Sequence, residues 1–192
     1  GLTDIFIGGF GDSSTGIVSN YRNNFKSNNP GRTTKYFEWD QQSQIVDYAK
    51  NASPPINLVG HSYGGSTASD VATILGNQNP PVTVDLLITA DPVSYWLRPE
   101  KQPGNVTKWV DINAQPTNPN FSDTVAAFGG KWGNSPNGKA STFYNINANH
   151  ENFSALLDTA PTGGQSALQT LLGSTGASGG YVLYPSKPNT NT

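Results

Sequence analysis

Apolar residues along this chain fall into short, nearly unbroken runs that alternate with stretches of helical spacing and with glycine- or proline-marked breaks. The first run, Asp4-Ile5-Phe6-Ile7, is stopped by Gly8-Gly9-Phe10-Gly11-Asp12, as expected of a buried strand feeding a glycine loop. Lys35 to Trp39 predicts a second strand. Within Gln41 to Asn51, Ile45, Val46, Tyr48 and Ala49 recur at roughly helical spacing, and Ser53-Pro54-Pro55 ends that helix. Ile56-Asn57-Leu58-Val59 then reads as a strand and Gly60-His61-Ser62-Tyr63-Gly64-Gly65 as a turn. Ala68, Val71, Ala72, Ile74 and Leu75 predict a helix that breaks at Asn77 to Pro81.

The alternation continues with a strongly apolar strand, Val84 to Thr89, which delivers Ala90-Asp91-Pro92, and with strands at Val106 to Ile112 and Thr142 to Ile146. The last of these leads to His150. Between them, Asn113 to about Lys139 reads as a long loop carrying Phe121, Phe128 and Trp132, either a partial lid or the cover for a short helix. Two short helices are predicted afterwards, one from Phe153, Ala155, Leu156 and Leu157, the other from Ala167, Leu168, Leu171 and Leu172. From Gly173 the composition turns to Ser, Gly, Pro, Asn and Thr, interrupted by Tyr181 to Tyr184, so residues 1–172 read as one domain and 173–192 as a loosely held tail.

Strands alternating with helices, each strand nearly all apolar, predict an α/β fold: a mainly parallel sheet flanked by helices on both faces. In such sheets the chemistry sits beyond the C-terminal ends of the strands. The residues to weigh are therefore Gly8 to Asp12, Gly60 to Gly65, Asp91, Asn113 onward and His150.

Composition narrows the chemistry. A length of 192 residues fits one domain, and 10% aromatic content with 4 Trp gives its core bulk. Eleven Lys and Arg against 13 Asp and Glu leave a net charge of −2, which offers no basic surface for nucleic acid. With no cysteine, thiolate catalysis, thiolate metal sites and disulfides are excluded, and two histidines cannot make a three-histidine metal site. Neither a metal nor a cofactor is expected. No apolar run reaches the roughly 20 residues a membrane span needs, so a soluble protein is expected, with secretion and a cytoplasmic location both open. The chain starts at Gly1 and not at Met, as a trimmed product would, which fits export without establishing it.

Gly60-His61-Ser62-Tyr63-Gly64 satisfies the G-x-S-x-G pattern, in which a tight strand-to-helix turn holds a serine in a strained conformation. Side chains two residues either side of the serine would collide in that turn, which gives Gly60 and Gly64 a steric reason, and Gly65 eases helix against sheet. Here the pattern follows an apolar strand and precedes an amphipathic helix, the context it requires. The bland alternative is an ordinary glycine-rich turn.

On these residues the chain resembles the α/β-hydrolase superfamily, and within it the lipases and esterases that carry Gly-His-Ser-x-Gly-Gly. From Asp4 to His150 the order of elements is similar to that of a compact member lacking the first antiparallel strands, as in the smallest bacterial lipases and cutinases. The resemblance implies a serine hydrolase acting on carboxylic esters of lipid, phospholipid or thioester type through an acyl-enzyme. Its substrate would be an acyl-ester small molecule or a lipid. An acyltransferase on the same fold, or a binding module with an inactive site, are the alternatives.

A serine hydroxyl needs a base near pKa 7 to take its proton, and histidine suits that task. His61 adjoins Ser62, where consecutive side chains diverge, and in similar lipases that position packs beside the elbow. His150 remains, in the loop where the family's histidine arrives. The imidazole in turn needs a carboxylate. Asp91 follows an apolar strand and suits the order Ser, Asp, His; Asp123 is the rival, since many α/β-hydrolases carry the acid one strand later, and Asp111 lies within its strand. Asp91-Pro92 is also a common turn dipeptide. For the oxyanion, the Tyr63 N–H at the helix start offers one donor, and the resemblance assigns the other to Phe10. Tyr95, Trp96, Leu97, Phe121, Phe128 and Trp132 lie in or near the expected loops and are candidates to line an apolar acyl site.

Overall fold

The structure, a computed structural model, describes residues 2–96 and 98–173. Six strands run β1 (Thr3–Gly8), β2 (Thr33–Glu38), β3 (Ile56–His61), β4 (Val84–Ala90), β5 (Val106–Ala114) and β6 (Thr142–Ile146). Between and after them lie α1 (Asp12–Thr15), α2 (Ile17–Asn28), α3 (Gln42–Lys50), α4 (Tyr63–Gly76), α5 (Phe121–Phe128), α6 (Phe153–Asp158) and α7 (Ala167–Gly173). The strands form a single sheet in the order β2-β1-β3-β4-β5-β6, every pair parallel.

Successive residues of a strand point to opposite faces, and both faces here are apolar, which is why the central strands read as unbroken hydrophobic runs. On one face Phe6, Val59, Ile88 and Ile112 pack with Val18 and Phe25 of α2, Phe153 and Leu156 of α6 and Leu171 of α7. On the other, Ile5, Ile7, Leu58 and Leu87 meet Ile45 of α3, Val71 and Leu75 of α4, and Trp109. A buried polar knot ties the start of three strands. Arg32 Nε donates to Asp4 Oδ2 at 2.7 Å and Asn57 Nδ2 to Asp4 Oδ1 at 2.9 Å.

Strand order fixes where a site can form. From β1 the chain moves outward to β2, then returns past β1 to β3, so the connections leaving β1 and β3 diverge and open a crevice at their C-terminal ends. Gly8 to Asp12 and His61-Ser62 occupy those two ends.

Several expectations need correction. Asp12 to Asn28 holds two helices where none was expected; α2 buries only Val18 and Phe25 among polar residues, too thin a stripe to stand out. The stretch 113–139, left open between a partial lid and a short helix, contains α5, whose Asn120 and Asp123 form a reciprocal capping box, a start signal that does not need a long apolar face. Strands β3 and β5 extend through His61 and Ala114, carrying the sheet directly into site residues. Gly173, the expected start of the tail, ends α7. The rest of that tail, Tyr181 to Tyr184 included, lies outside the described residues, as does Leu97.

Candidate active site

Strand β3 ends in a turn so tight that its geometry dictates its sequence. Ser62 adopts φ 58° and ψ −126°, left-handed backbone that costs a non-glycine residue about 1–3 kcal/mol. A Cβ on Gly60 would lie 2.1 Å from the Gly64 carbonyl oxygen, and one on Gly64 would lie 2.3 Å from that of Ile7. The strained peptide is pinned on both sides. The Ser62 N–H donates to Ala90 at 3.1 Å, and its carbonyl accepts from Gly65 at 2.9 Å and Val93 at 3.1 Å.

His150 Nε2 lies 3.0 Å from Ser62 Oγ, and His150 Nδ1 lies 2.6 Å from Asp91 Oδ2. The carboxylate accepts the Nδ1 proton, which leaves Nε2 free to accept from the serine. Asp91 comes from a turn of its own, at φ 43°, with its N–H on the Ile112 carbonyl at 2.7 Å. Burial pushes its carboxyl pKa up, but the hydrogen bond and charge of His150, the Lys131 ammonium and the Ala114 N–H together hold it below the ordinary aspartate value.

The histidine is held from behind by groups the sequence did not single out for that task. His61 Nε2 lies 2.6 Å from the His150 carbonyl oxygen, so that nitrogen carries the proton, and the two rings stack at 4.8 Å and 29°. Burial pulls the His61 pKa down to about 4, with the neighbouring His150 adding to the shift, so its imidazole is neutral in the folded protein at neutral pH. Asp123, the rival acid, does not touch the His150 ring. Its Oδ1 accepts the His150 backbone N–H at 2.8 Å and its Oδ2 accepts from Asn149 at 2.7 Å, so it holds the loop. Asp111 accepts from the Thr89 hydroxyl, and burial raises its pKa to about 8.

The loop after β1 lies against the serine. A Cβ on Gly9 would approach Ser62 Cβ to 2.8 Å, so only glycine permits the crossing. Asp12 anchors the far end of that loop, accepting from Val18 N–H at 2.8 Å and from the Tyr36 hydroxyl at 2.6 Å. The N–H groups of Phe10 and Tyr63 make no hydrogen bond to any described residue, and the second begins α4, where the residue four back belongs to β3 and not to the helix.

Aromatic side chains gather around this crevice. Phe10, Trp39, Tyr63 and Tyr95 form a row with neighbouring ring centroids 6.2, 5.6 and 5.7 Å apart. Trp96, Phe121 and Phe128 are 92%, 82% and 86% exposed. Trp132, expected among the lining residues, is instead buried: it donates to Ser94 Oγ at 2.7 Å and packs edge-on to Trp109. A hollow of about 450 Å³ lined by Thr15, Ile17, Asn149, Glu151 and Asn152 opens beside the His150 loop. Another, of about 430 Å³ near Thr3, Thr33 and Ser53, sits at the N-terminal ends of β1 and β2, away from these groups.

Sequence reasoning missed Trp39, Lys131 and the holding roles of His61 and Asp123. Trp39 was read as a strand residue, and Lys131 stands in Gly129-Gly130-Lys131-Trp132, where no local pattern marks it.

A single sheet of six parallel strands flanked by helices, with a positive-φ serine beyond a central strand, is an α/β fold with its crevice at the C-terminal ends of the strands. Among solved structures the chain is similar to a putative hydrolase of the alpha/beta superfamily from Xanthomonas campestris pv. campestris, with a TM-score of 0.54 and 12% identity over 80% of this chain and 91% of that one. At that identity the likeness is one of fold: a single sheet of six parallel strands flanked by helices. No protein-family model and no curated protein matches the chain. Among the described residues no helix is long and apolar enough to cross a membrane.

Proposed function

We propose that this protein is a serine hydrolase that cleaves carboxylic esters through an acyl-enzyme, with Ser62 as nucleophile, His150 as base and Asp91 as the orienting acid. The observation that carries the reading is the continuous chain of contacts, 3.0 Å from Ser62 Oγ to His150 and 2.6 Å from His150 to Asp91, mounted on a strained turn. Strain of that kind persists only where surrounding structure over-determines it, and it is common at reacting groups.

The mechanism follows from those contacts. His150 Nε2 takes the Ser62 proton as Oγ attacks the ester carbonyl, and Asp91 stabilises the imidazolium that forms. The N–H groups of Phe10 and Tyr63 are candidates to receive the oxyanion, since each lacks an acceptor among the described residues and the loop bearing Phe10 crosses the serine. The imidazolium returns its proton to the leaving alkoxide or thiolate. Water, activated by the same base, then hydrolyses the acyl-enzyme. The aromatic row of Phe10, Trp39, Tyr63 and Tyr95 favours an apolar acyl group, as in lipid, phospholipid and thioester substrates, and the exposed Trp96, Phe121 and Phe128 are candidates to extend its lining.

The test is covalent labelling. A fluorophosphonate should add once, on Ser62, by peptide mass spectrometry, and Ser62→Ala should abolish the adduct and lower ester turnover by roughly 10⁴-fold or more with folding intact. A label on another residue rejects the mechanism. Esters and thioesters graded by chain length, with and without an alcohol acceptor, then define the acyl group and separate hydrolysis from transfer.

A further inference from the structure

The two oxygens of Asp91 face different partners. Oδ2 receives the imidazole N–H. Oδ1, on the side away from His150, accepts the Ala114 N–H at 2.9 Å and lies 3.0 Å from Lys131 Nζ. The ammonium also donates to the Ala114 carbonyl, so it and the Ala114 peptide close around one carboxylate oxygen. Asp91 is 1% exposed and the Lys131 side chain 20%, which sets this pair apart from a solvated surface ion pair worth little.

The lysine is delivered there by its backbone. Ser94 N–H bonds the Gly130 carbonyl at 3.1 Å, Trp132 N–H bonds that of Pro92 at 3.0 Å, and Arg98 caps the Lys131 carbonyl at 2.9 Å. Gly130 has φ +92°, and a Cβ there would lie 2.2 Å from the Ser94 oxygen. Residues 130–132 are thus strapped to 92–94, immediately after Asp91.

Resting on the hydrolase reading above, we propose that Lys131 is a positioning residue of the reaction, a fixed countercharge that acts on His150 through Asp91. An imidazole facing a bare buried carboxylate holds its proton tightly. An ammonium behind that carboxylate weakens the field at the ring while keeping the acid ionised and its Oδ2 aimed at Nδ1. The base is therefore free at lower pH and returns its proton more readily to the leaving group.

The other charged and titratable groups around the pair do not duplicate this effect. From β3, His61 stacks on the ring in its neutral form. From α5, Asp123 engages the His150 backbone and not the ring. From β5, Asp111 lies within electrostatic reach of Asp91 and Lys131 with its pKa raised to about 8, so at pH 7 it is mostly uncharged. Asp12, after β1, acts on His61, and Glu151 points to Asn120.

The experiment compares Lys131→Met, which keeps the apolar stem and removes the charge, with Lys131→Arg, which keeps the charge. Circular dichroism verifies folding. In Lys131→Met the acid limb of kcat/KM should move to higher pH by about half a unit to one unit. The loss should be largest near pH 6, and less than tenfold above the limb. Lys131→Arg should bring the limb most of the way back. A limb that stays in place in folded Lys131→Met overturns the proposal and leaves the lysine a structural strap. If Lys131→Met fails to fold, Lys131→Gln carries the same comparison. The same shift is read without activity from the pH midpoint of the His150 imidazole NMR signals in Ser62→Ala protein, with and without Lys131→Met. An unlabelled Ser62 would sink the hydrolase reading, whereas an unmoved midpoint would sink the countercharge.

Discussion

Exchanging Asp91 for asparagine changes one oxygen for an amide nitrogen at the 2.6 Å approach of Oδ2 to His150 Nδ1. Two outcomes are open to the amide, and both are unfavourable. If its NH2 faces Nδ1, the imidazole must carry its proton on Nε2, which then points a donor at Ser62. If its oxygen faces Nδ1, the tautomer survives but the negative charge that stabilises the imidazolium is gone, and the NH2 is turned onto the Ala114 N–H and the Lys131 ammonium, a donor facing donors. Turnover should fall by about 10³ to 10⁴-fold, or about 4–5.5 kcal/mol of transition-state stabilisation. Asp123→Asn is the control, because its contacts are to the His150 backbone and Asn149 and leave the ring alone. That change should cost about tenfold or less, through loop order. Both variants are to be assayed for kcat and KM on one soluble short-chain ester, with melting curves to exclude unfolding. The reverse ranking refutes the assignment of the acid, and equal mild effects from both refute the role of any carboxylate on the ring.

Three further outcomes concern buried groups. His61 has a folded pKa of about 4, below its free value of 6.5, so the unfolded chain binds the extra proton and this residue's contribution to stability is lost as pH falls from 6.5 to 4. Urea unfolding of parent and His61→Phe should therefore differ in slope over that interval by about 3 kcal/mol in total, and parallel curves would show that His61 is not held neutral. Loss of its bond to the His150 carbonyl should also lower His61→Phe turnover by about tenfold, far less than His150→Asn, and reversed severity of the two would exchange their roles. Arg32→Met leaves the fully buried Asp4 carboxylate without its guanidinium and should destabilise by about 3 kcal/mol in the same unfolding assay; a change under about 1 kcal/mol would mean the pair adds little.

What the sequence disclosed depended on how local its cause was. The serine turn was legible because every requirement lies within five residues: an apolar strand before, a helix after, and glycines where Cβ atoms would strike backbone. Strand β6 was read to the residue because Thr142 to Ile146 is bounded by polar breaks on both sides. Helix α2 was missed because most of its residues are polar, and only its packing on Phe6 and Phe153 reveals which side faces inward. Asp91 and Asp123 could not be ranked by spacing, since each follows a strand and precedes His150; it takes the third dimension to put one on the ring and the other on the peptide. Trp132 was misread for the same reason, its neighbours Trp109 and Ser94 being far away in sequence. Lys131 left no trace at all, because its partner Asp91 lies forty residues earlier.

The exposed connection between α4 and β4, residues 77–83, divides the proposed reacting groups unequally. Ser62 and the glycine loop stand on its N-terminal side; the acid, the lysine behind it and the histidine all stand on the other. A chain interrupted there would yield one half holding an inert alcohol and another holding an imidazole with nothing to deprotonate. The seam between them is the register of β3 on β4, in which His61 pairs with Ala90 one residue before each functional turn. A slip of a single position along that seam would carry serine and acid apart by a whole residue. On the proposed mechanism, chemical competence is thereby a gauge of correct strand alignment, silent until the two halves of the sheet have met in phase.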